Sequence, residues 1–177
     1  KAVERRIPII VVDPRYSVAA SKAKYWLPIK PGTDLALLLA WMNVLVNEGR
    51  YDTAFVAKYG HGFDKFALEV AKYTPEWAAA ETGISAQMIR VTARELASHR
   101  PAALVHPGRR VNWYGDDTQR SRAIALLTGL LGSYGRKGGM FVSQGIKIAP
   151  YPLPKYPEST KPRADGADAV QYPFADE

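Results

Sequence analysis

The sequence predicts an α/β domain built on a doubly wound, mostly parallel sheet with helices on both faces. Three observations predict it. The short apolar run from Ile7 to Val12 carries five β-branched residues and ends at a turn signal, as a strand covered on both faces does. Further strand candidates alternate with helical segments along the chain, the pattern of a parallel sheet. Polar, proline- or glycine-bearing turns follow the strands, where ligands bind in open α/β sheets.

Taken in order, residues 1–6 read as the end of a helix that precedes the first strand. Pro14 has no N–H to give a ladder, so Asp13-Pro14-Arg15 stops the strand and leaves an acid and a base at its carboxyl end. An acid in that place often accepts hydrogen bonds from a nucleotide ribose. Ser17 to Lys24 is a connection, helical over Ala19-Ala20-Ser21-Lys22. Tyr25 to Ile29 is the second strand candidate. In Pro31-Gly32-Thr33-Asp34, Gly32 lets the backbone approach a ligand, Thr33 is a good N-cap, and Asp34 lies at the positive end of a helix dipole. The helix Leu35 to Asn47 is apolar almost all round, which predicts burial between the sheet and another layer, with Gly49 as its C-cap.

Smaller helices follow at Asp52 to Lys58, with Asp52 as cap, and at Asp64 to Tyr73. Thr74-Pro75 is a strong helix start and Gly83 ends that helix. Ser85 caps Ala86 to Ser98, with Met88, Val91 and Leu96 among the inward candidates. Ala102 to His106 is a third strand candidate, and Pro107-Gly108-Arg109-Arg110 is again a ligand-facing turn. Asp117 can cap a helix over Thr118 to Leu131, and Gly132 to Gly139 closes the unit. Residues 1–149 thus form one α/β cofactor-binding domain, incomplete at its N-terminus. Five prolines in residues 150–163 make residues 150–177 an extended arm or linker.

Composition narrows the function. The 177 residues suffice for one domain with a real core. A net charge of +7 fits nucleic acid, a membrane surface or an anionic ligand. The basic residues are scattered and lack interleaved aromatics, which argues against nucleic acid. With no cysteine, the chain itself holds no disulfide, thiolate zinc site or cysteine-ligated cluster. No apolar stretch is long enough to cross a membrane as a helix. Neither Gly-x-x-x-x-Gly-Lys-Ser/Thr nor Gly-x-Gly-x-x-Gly occurs. No Ser-His-Asp order or metal-ligand spacing supports a hydrolase. His61 reads as a surface loop residue, and the four tryptophans as core or interface. The chain opens on Lys1 and runs straight into a strand, so Lys1 is expected to be an internal point of a longer protein.

Val12-Asp13-Pro14-Arg15, a spacer, and then Trp26-Leu27-Pro28-Ile29-Lys30-Pro31-Gly32-Thr33-Asp34 resemble the molybdopterin oxidoreductases of the dimethyl sulfoxide reductase family. The resemblance covers nearly all of residues 1–160. It implies a nucleotide-binding domain holding one guanosine of a bis-(molybdopterin guanine dinucleotide) cofactor with molybdenum or tungsten. Guanine presents N1–H and N2–H₂ side by side, and one carboxylate, Asp34, can accept both. On the residues alone, Asp34 serves equally as an acid favouring the helix dipole. The resemblance carries Val12, Asp13, Pro14, Arg15 and Tyr16 over as a block for the guanosine side, with Gly32, Thr33 and Asp34 beside it. Asp13 and Arg15 can divide ribose and diphosphate between them. It also places the turn after the third strand, with His106, Gly108 and Arg110, next to the pterin and the metal, which implies pterin or substrate contact. His106 and Arg110 are the catalytic candidates there.

Within the family, His106-Pro107-Gly108-Arg109-Arg110, Trp113 to Ala125, Gly135 to Gly139 and the Tyr-Pro-Leu-Pro-Lys-Tyr-Pro arm look like the polysulfide/thiosulfate reductase branch. The implied reaction is two-electron reduction of a sulfur compound. Related branches act on tetrathionate, arsenate or selenate. The resemblance further implies a [4Fe-4S] cluster in a missing N-terminal part, an iron–sulfur electron-transfer subunit, a membrane anchor subunit and an anionic small-molecule substrate. It places the complex at the periplasmic side of the cytoplasmic membrane. The rival readings are a nucleotide-binding module, or a scaffold, without metal chemistry.

Overall fold

A computed structural model describes residues 2–106, 108, 117–141 and 145. Strands β1 (Ile10–Val12) and β2 (Tyr25–Leu27) are joined by a short 3₁₀ turn at Ala20–Lys22. Among the described residues six helices come after them: α1 (Asp34–Asn47), α2 (Thr53–Tyr59), α3 (Phe63–Val70), α4 (Pro75–Thr82), α5 (Ala86–Ser98) and α6 (Asp117–Leu130). The chain divides into two units, Lys1–Ser143 and Gln144–Glu177, and all of these elements belong to the first. The extended arm expected at 150–177 lies outside the described residues.

The local signals at the helix ends act as their chemistry dictates. Asp52, Thr74 and Ser85 each accept a bond from the backbone N–H three residues on, in Phe55, Trp77 and Met88. Pro75 takes the first position of α4 and Gly83 its left-handed close. Arg50 N–H bonds Leu45 C=O and Gly49 N–H bonds Val46 C=O, with Gly49 at φ +62, a Schellman closure of α1. The expected helix end at residues 1–6 has the same closure. Ile7 N–H reaches Ala2 C=O and Arg6 N–H reaches Val3 C=O, with Arg6 in the left-handed place at φ 53.

Helix α1 is the hub. It packs on α3, α4, α5 and α6, and Leu37, Met42 and Leu45 are fully buried. Each contributes about 1.5–3 kcal/mol by leaving water. Its two buried polar groups are both satisfied. Trp41 Nε1 donates to Thr92 Oγ1 of α5 at 2.9 Å. Asn43 Nδ2 donates to the C=O of Val70 and of Ala71, at 2.9 and 3.2 Å, supplying orphan carbonyls at the end of α3. Helix α5 turns Ile89, Ala93 and Ala97 inward at i, i+4 spacing, with Met88 and Leu96 half-buried beside them. Val91 is half-buried as well. Lys24, just before β2, donates to Glu95 of α5 at 2.7 Å and ties the strands to the helices.

The sheet among the described residues has two strands paired in parallel, as a mixed α/β fold requires, and the larger doubly wound sheet is not seen among them. Other expectations are corrected. Residues 102–106 alternate exposed and covered as a strand does, with Ala103 buried and Leu104 exposed, but no ladder partner lies among the described residues. Ala103 and Val105 pack onto the helical core instead. The first strand is half-buried rather than covered on both faces, and Ile7 is 52% exposed. Among the described residues helix α1 packs chiefly on helices α3, α4, α5 and α6. Asp117 opens α6, and its side chain lies outside the described residues.

Asp52 gives a direct test of this packing. Its carboxylate caps α2, and Arg136 Nη1 donates to it at 2.6 Å. The Phe55 N–H first, and then Arg136, hold the carboxyl below its ordinary range. The stability it confers is therefore present above the unfolded carboxyl pKa and is lost as pH falls through the lower folded value. Asp52→Ala should cost about 1–2 kcal/mol of α2 stability. Asp52→Asn should keep the cap and lose the pH dependence. Hydrogen exchange of the α2 amides in the full-length protein measures both. Unchanged exchange in Asp52→Ala would contradict the assignment.

Candidate functional site: two turns at one edge of a parallel pair

In the register, Ile10 faces Tyr25, Val11 faces Trp26 and Val12 faces Leu27. Because the strands are parallel, both chains leave at the same edge. Asp13 N–H extends the ladder to Leu27 C=O at 3.2 Å, and the chain then turns. Asp13 Oδ1 accepts from Arg15 N–H at 2.9 Å, an Asx turn across Pro14. The Arg15 side chain is 86% exposed, and its Nε lies 3.8 Å from Asp13 Oδ1. An ion pair so exposed is worth little in itself and leaves the guanidinium open to a ligand.

Trp26 pins this turn. Its Nε1 donates to Asp13 C=O at 2.8 Å, and the Tyr16 ring meets the indole edge-on at 4.9 Å between centroids. Ser17 Oγ then accepts from Ala20 N–H and starts the 3₁₀ turn. The sequence alone reads Trp26 as a core or interface residue. Its role across the strand pair follows from the register, which no local motif encodes.

The second chain leaves β2 through Pro28 and a buried Ile29. Lys30 N–H bonds Thr82 C=O at 3.0 Å, which anchors the segment to the end of α4. Thr33 N–H returns to Lys30 C=O at 3.2 Å across Pro31 and Gly32, with Gly32 at φ +84. This is a type II turn, whose third residue must be left-handed. Nothing lies within 4 Å of a Cβ built on Gly32, so the requirement is conformational and no close neighbour demands the glycine. Thr33 occupies the N-cap position, but its hydroxyl makes no cap bond. It donates back to Lys30 C=O at 2.6 Å and tightens the turn.

Asp34 begins α1, with its side chain 38% exposed. Arg120 Nη1, in the first turn of α6, lies 3.2 Å from Asp34 Oδ2. Sequence reasoning missed Arg120, because nothing local announces a partner 86 residues away. His106 is exposed, and its Nδ1 accepts from Gly108 N–H at 3.0 Å, which puts the ring proton of a neutral imidazole on Nε2. Arg110 and Arg109 lie outside the described residues. Among the described residues, no hydrogen bond or ion pair joins His106 or Gly108 to the Asp13 or Asp34 turns. Strand pairing thus sends the Val12–Tyr16 turn and the Gly32, Thr33 and Asp34 turn out at one edge, and the described contact of His106 and Gly108 is the local bond between them.

A cavity of about 420 Å³ lies elsewhere, lined by Phe55, Tyr59, Phe63, Phe66, Leu126 and Tyr134 among others. No residue of either turn lines it, and its walls are mainly apolar, with His61, Tyr59 and Tyr134 the polar exceptions. Among the described residues no cluster of three or more His, Asp or Glu could hold a metal ion, and no helix is long and apolar enough to cross a membrane. An acceptor-only carboxylate, a second acid in an Asx turn, an open guanidinium and an exposed tyrosine suit a nucleotide's base, ribose and diphosphate.

Comparison with known proteins gives concordant matches. The Molybdopterin oxidoreductase family profile matches residues 1–162. The thiosulfate reductase molybdopterin-containing subunit of Salmonella typhimurium is 40% identical over 83% of this chain and 19% of its own length. The arsenate respiratory reductase molybdopterin-containing subunit of Chrysiogenes arsenatis is 33% identical over 86% of this chain and 20% of its own. Acetylene hydratase from Pelobacter acetylenicus superposes with a TM-score of 0.72 at 34% identity, over 76% of this chain and 18% of that one. The chain thus spans about a fifth of the length of these relatives.

The turn at Gly32 is open to a simple test. Gly32→Ala adds a Cβ with nothing to strike, so its whole cost is the left-handed backbone, about 1–2 kcal/mol. Gly32→Asn should recover part of that loss. Hydrogen exchange at Thr33 and the first turn of α1 reads it, and alanine tolerated without change would contradict the type II geometry.

Proposed function

The chain belongs to the molybdopterin oxidoreductase family, and from that premise we propose that its two strand-edge turns hold the guanosine end of a bis-(molybdopterin guanine dinucleotide) cofactor. One observation carries the proposal. Parallel pairing of β1 and β2 brings the Asp13–Tyr16 turn and the Lys30–Asp34 turn out at the same edge, with a partly exposed carboxylate at the start of α1. In this reading Asp34 accepts from guanine N1–H and N2–H₂, Asp13 accepts from the ribose, and Arg15 neutralises the diphosphate. Val12, Pro14 and Tyr16 shape the first turn, and Gly32 and Thr33 the second. The sheet is then one edge of a larger doubly wound sheet, with residues 1–149 as the cofactor domain and residues 150–177 as an arm.

When bound, the cofactor supplies two-electron chemistry at molybdenum or tungsten. The residues of this chain bind and orient it. His106, Gly108 and Arg110 are the proposed pterin- and substrate-facing group, where an arginine would attract an anion and steady charge developing on it. The 40% identity with a thiosulfate reductase subunit supports a sulfur compound as substrate, and the arsenate reductase keeps arsenate as the second choice. A net charge of +7 suits an anionic cofactor and substrate. Both relatives are named as subunits, which supports an assembly with an iron–sulfur electron-transfer subunit and a membrane anchor at the periplasmic side of the membrane. A [4Fe-4S] cluster belongs to a part of the protein beyond these residues, since the chain has no cysteine.

Asp34→Asn puts an amide nitrogen against the guanine donors. Losing a charged hydrogen-bond pair costs about 1.5–3 kcal/mol, so cofactor retention should weaken roughly 10- to 150-fold. Guanosine monophosphate released by acid hydrolysis, per mole of full-length protein after dialysis, measures it. Retention equal to the parent's would defeat the assignment.

A further inference from the structure

We infer that Arg120 is a positioning residue that holds the Asp34 carboxylate in the orientation in which it reads guanine. The inference rests on the nucleotide reading of Asp34 and goes beyond it by adding a residue from the far end of the chain. Arg120 Nη1 lies 3.2 Å from Asp34 Oδ2, and the arginine is the more covered partner, 19% exposed against 38%. The two residues stand in the first turns of α6 and α1, and those helices pack against each other. The pair therefore spans a rigid helix–helix contact, whereas most surface ion pairs join two free side chains.

The geometry leaves Asp34 able to bind. A carboxylate oxygen has two lone pairs, so Oδ2 can accept from Arg120 and still accept once more. Among the described residues no other hydrogen bond reaches the Asp34 carboxylate. Reading guanine requires both oxygens in the plane of N1–H and N2–H₂ at once. An aspartate in the first turn of a helix can swing among rotamers, and most of them present one oxygen only. Anchoring Oδ2 to a fixed guanidinium selects one orientation before the ligand arrives, and pre-organisation of this kind raises affinity without a new contact. Arg120 would thus affect the nucleotide through Asp34, making α6 part of the guanosine site.

The test is a double-mutant cycle in the full-length, cofactor-loaded protein. The four proteins are the parent, Asp34→Asn, Arg120→Gln and the double variant. Two quantities are read: guanosine monophosphate retained after timed dialysis, and hydrogen exchange of the α6 amides. Arg120→Gln should shorten retention on the order of ten-fold, with α6 exchange unchanged. The double variant should lose no more than Asp34→Asn alone. Arg120→Gln with parental retention overturns the inference. So do losses that multiply in the double variant, which would make Arg120 an independent contact. Faster α6 exchange accompanying the loss overturns it too, since the role would then be structural. If Asp34→Asn itself leaves retention intact, the nucleotide reading fails first and takes this inference with it. Loss in Asp34→Asn with none in Arg120→Gln sinks the inference alone.

Discussion

The parallel pairing of Val12 with Leu27 decides what the rest of the molecule can do. A parallel pair sends both chains out at one edge, and an antiparallel pair would have sent them to opposite edges. Every feature of the candidate site depends on that register. Trp26 reaches Asp13 because it sits one residue before Leu27 in the neighbouring strand. Lys30 and Thr33 make their turn at the same edge as Asp13 because β2 ends level with β1. A slip of one residue would turn Trp26 to the other face and leave the Asp13 turn unsupported.

The helices hold this edge in place. Lys24 and Tyr25 both reach Glu95 of α5, and Lys30 N–H is fixed by the end of α4. Helix α1 carries Asp34 at its first turn and is buried among α3, α4, α5 and α6 over most of its length. Its polar ties at Trp41 and Asn43 are fully used within the core. The carboxylate at its start is therefore mounted on the helix that packs against the most others in the described structure. A recognition group gains from such a mount, since less freedom is lost on binding.

The local chemistry was legible in the sequence where it acts over three or four residues. Asp52, Thr74 and Ser85 as caps, Pro75 at a helix start, and Gly49 and Gly83 at helix ends all depend on near neighbours. The two strands and the order of the helices were legible for the same reason. What was not legible depends on distant partners. Ala102 to His106 has strand-like alternation, yet alternation does not supply a neighbour to pair with, and the segment lies on the helical core. The apolar girth of α1 announced burial but not its surroundings, which are helices. Thr33 had the composition of a capping residue, but the type II turn before it placed Lys30 C=O nearer to its hydroxyl. Arg120 lay within a family-like stretch, but nothing local gave its partner, because that contact spans 86 residues.

The motif around Asp13 and the motif around Asp34 were both legible in the sequence, and the strand register sends these two separated motifs out at one edge. The proposal assigns both to one ligand, whose class follows from family membership. The measurement that tests this most directly is a structure of the full-length protein with its cofactor bound. The account predicts one guanine with N1 and N2 about 3 Å from the Asp34 carboxylate oxygens and its ribose beside the Asp13 turn. Guanine bases bound away from both turns, with Asp34 facing only protein, would contradict it.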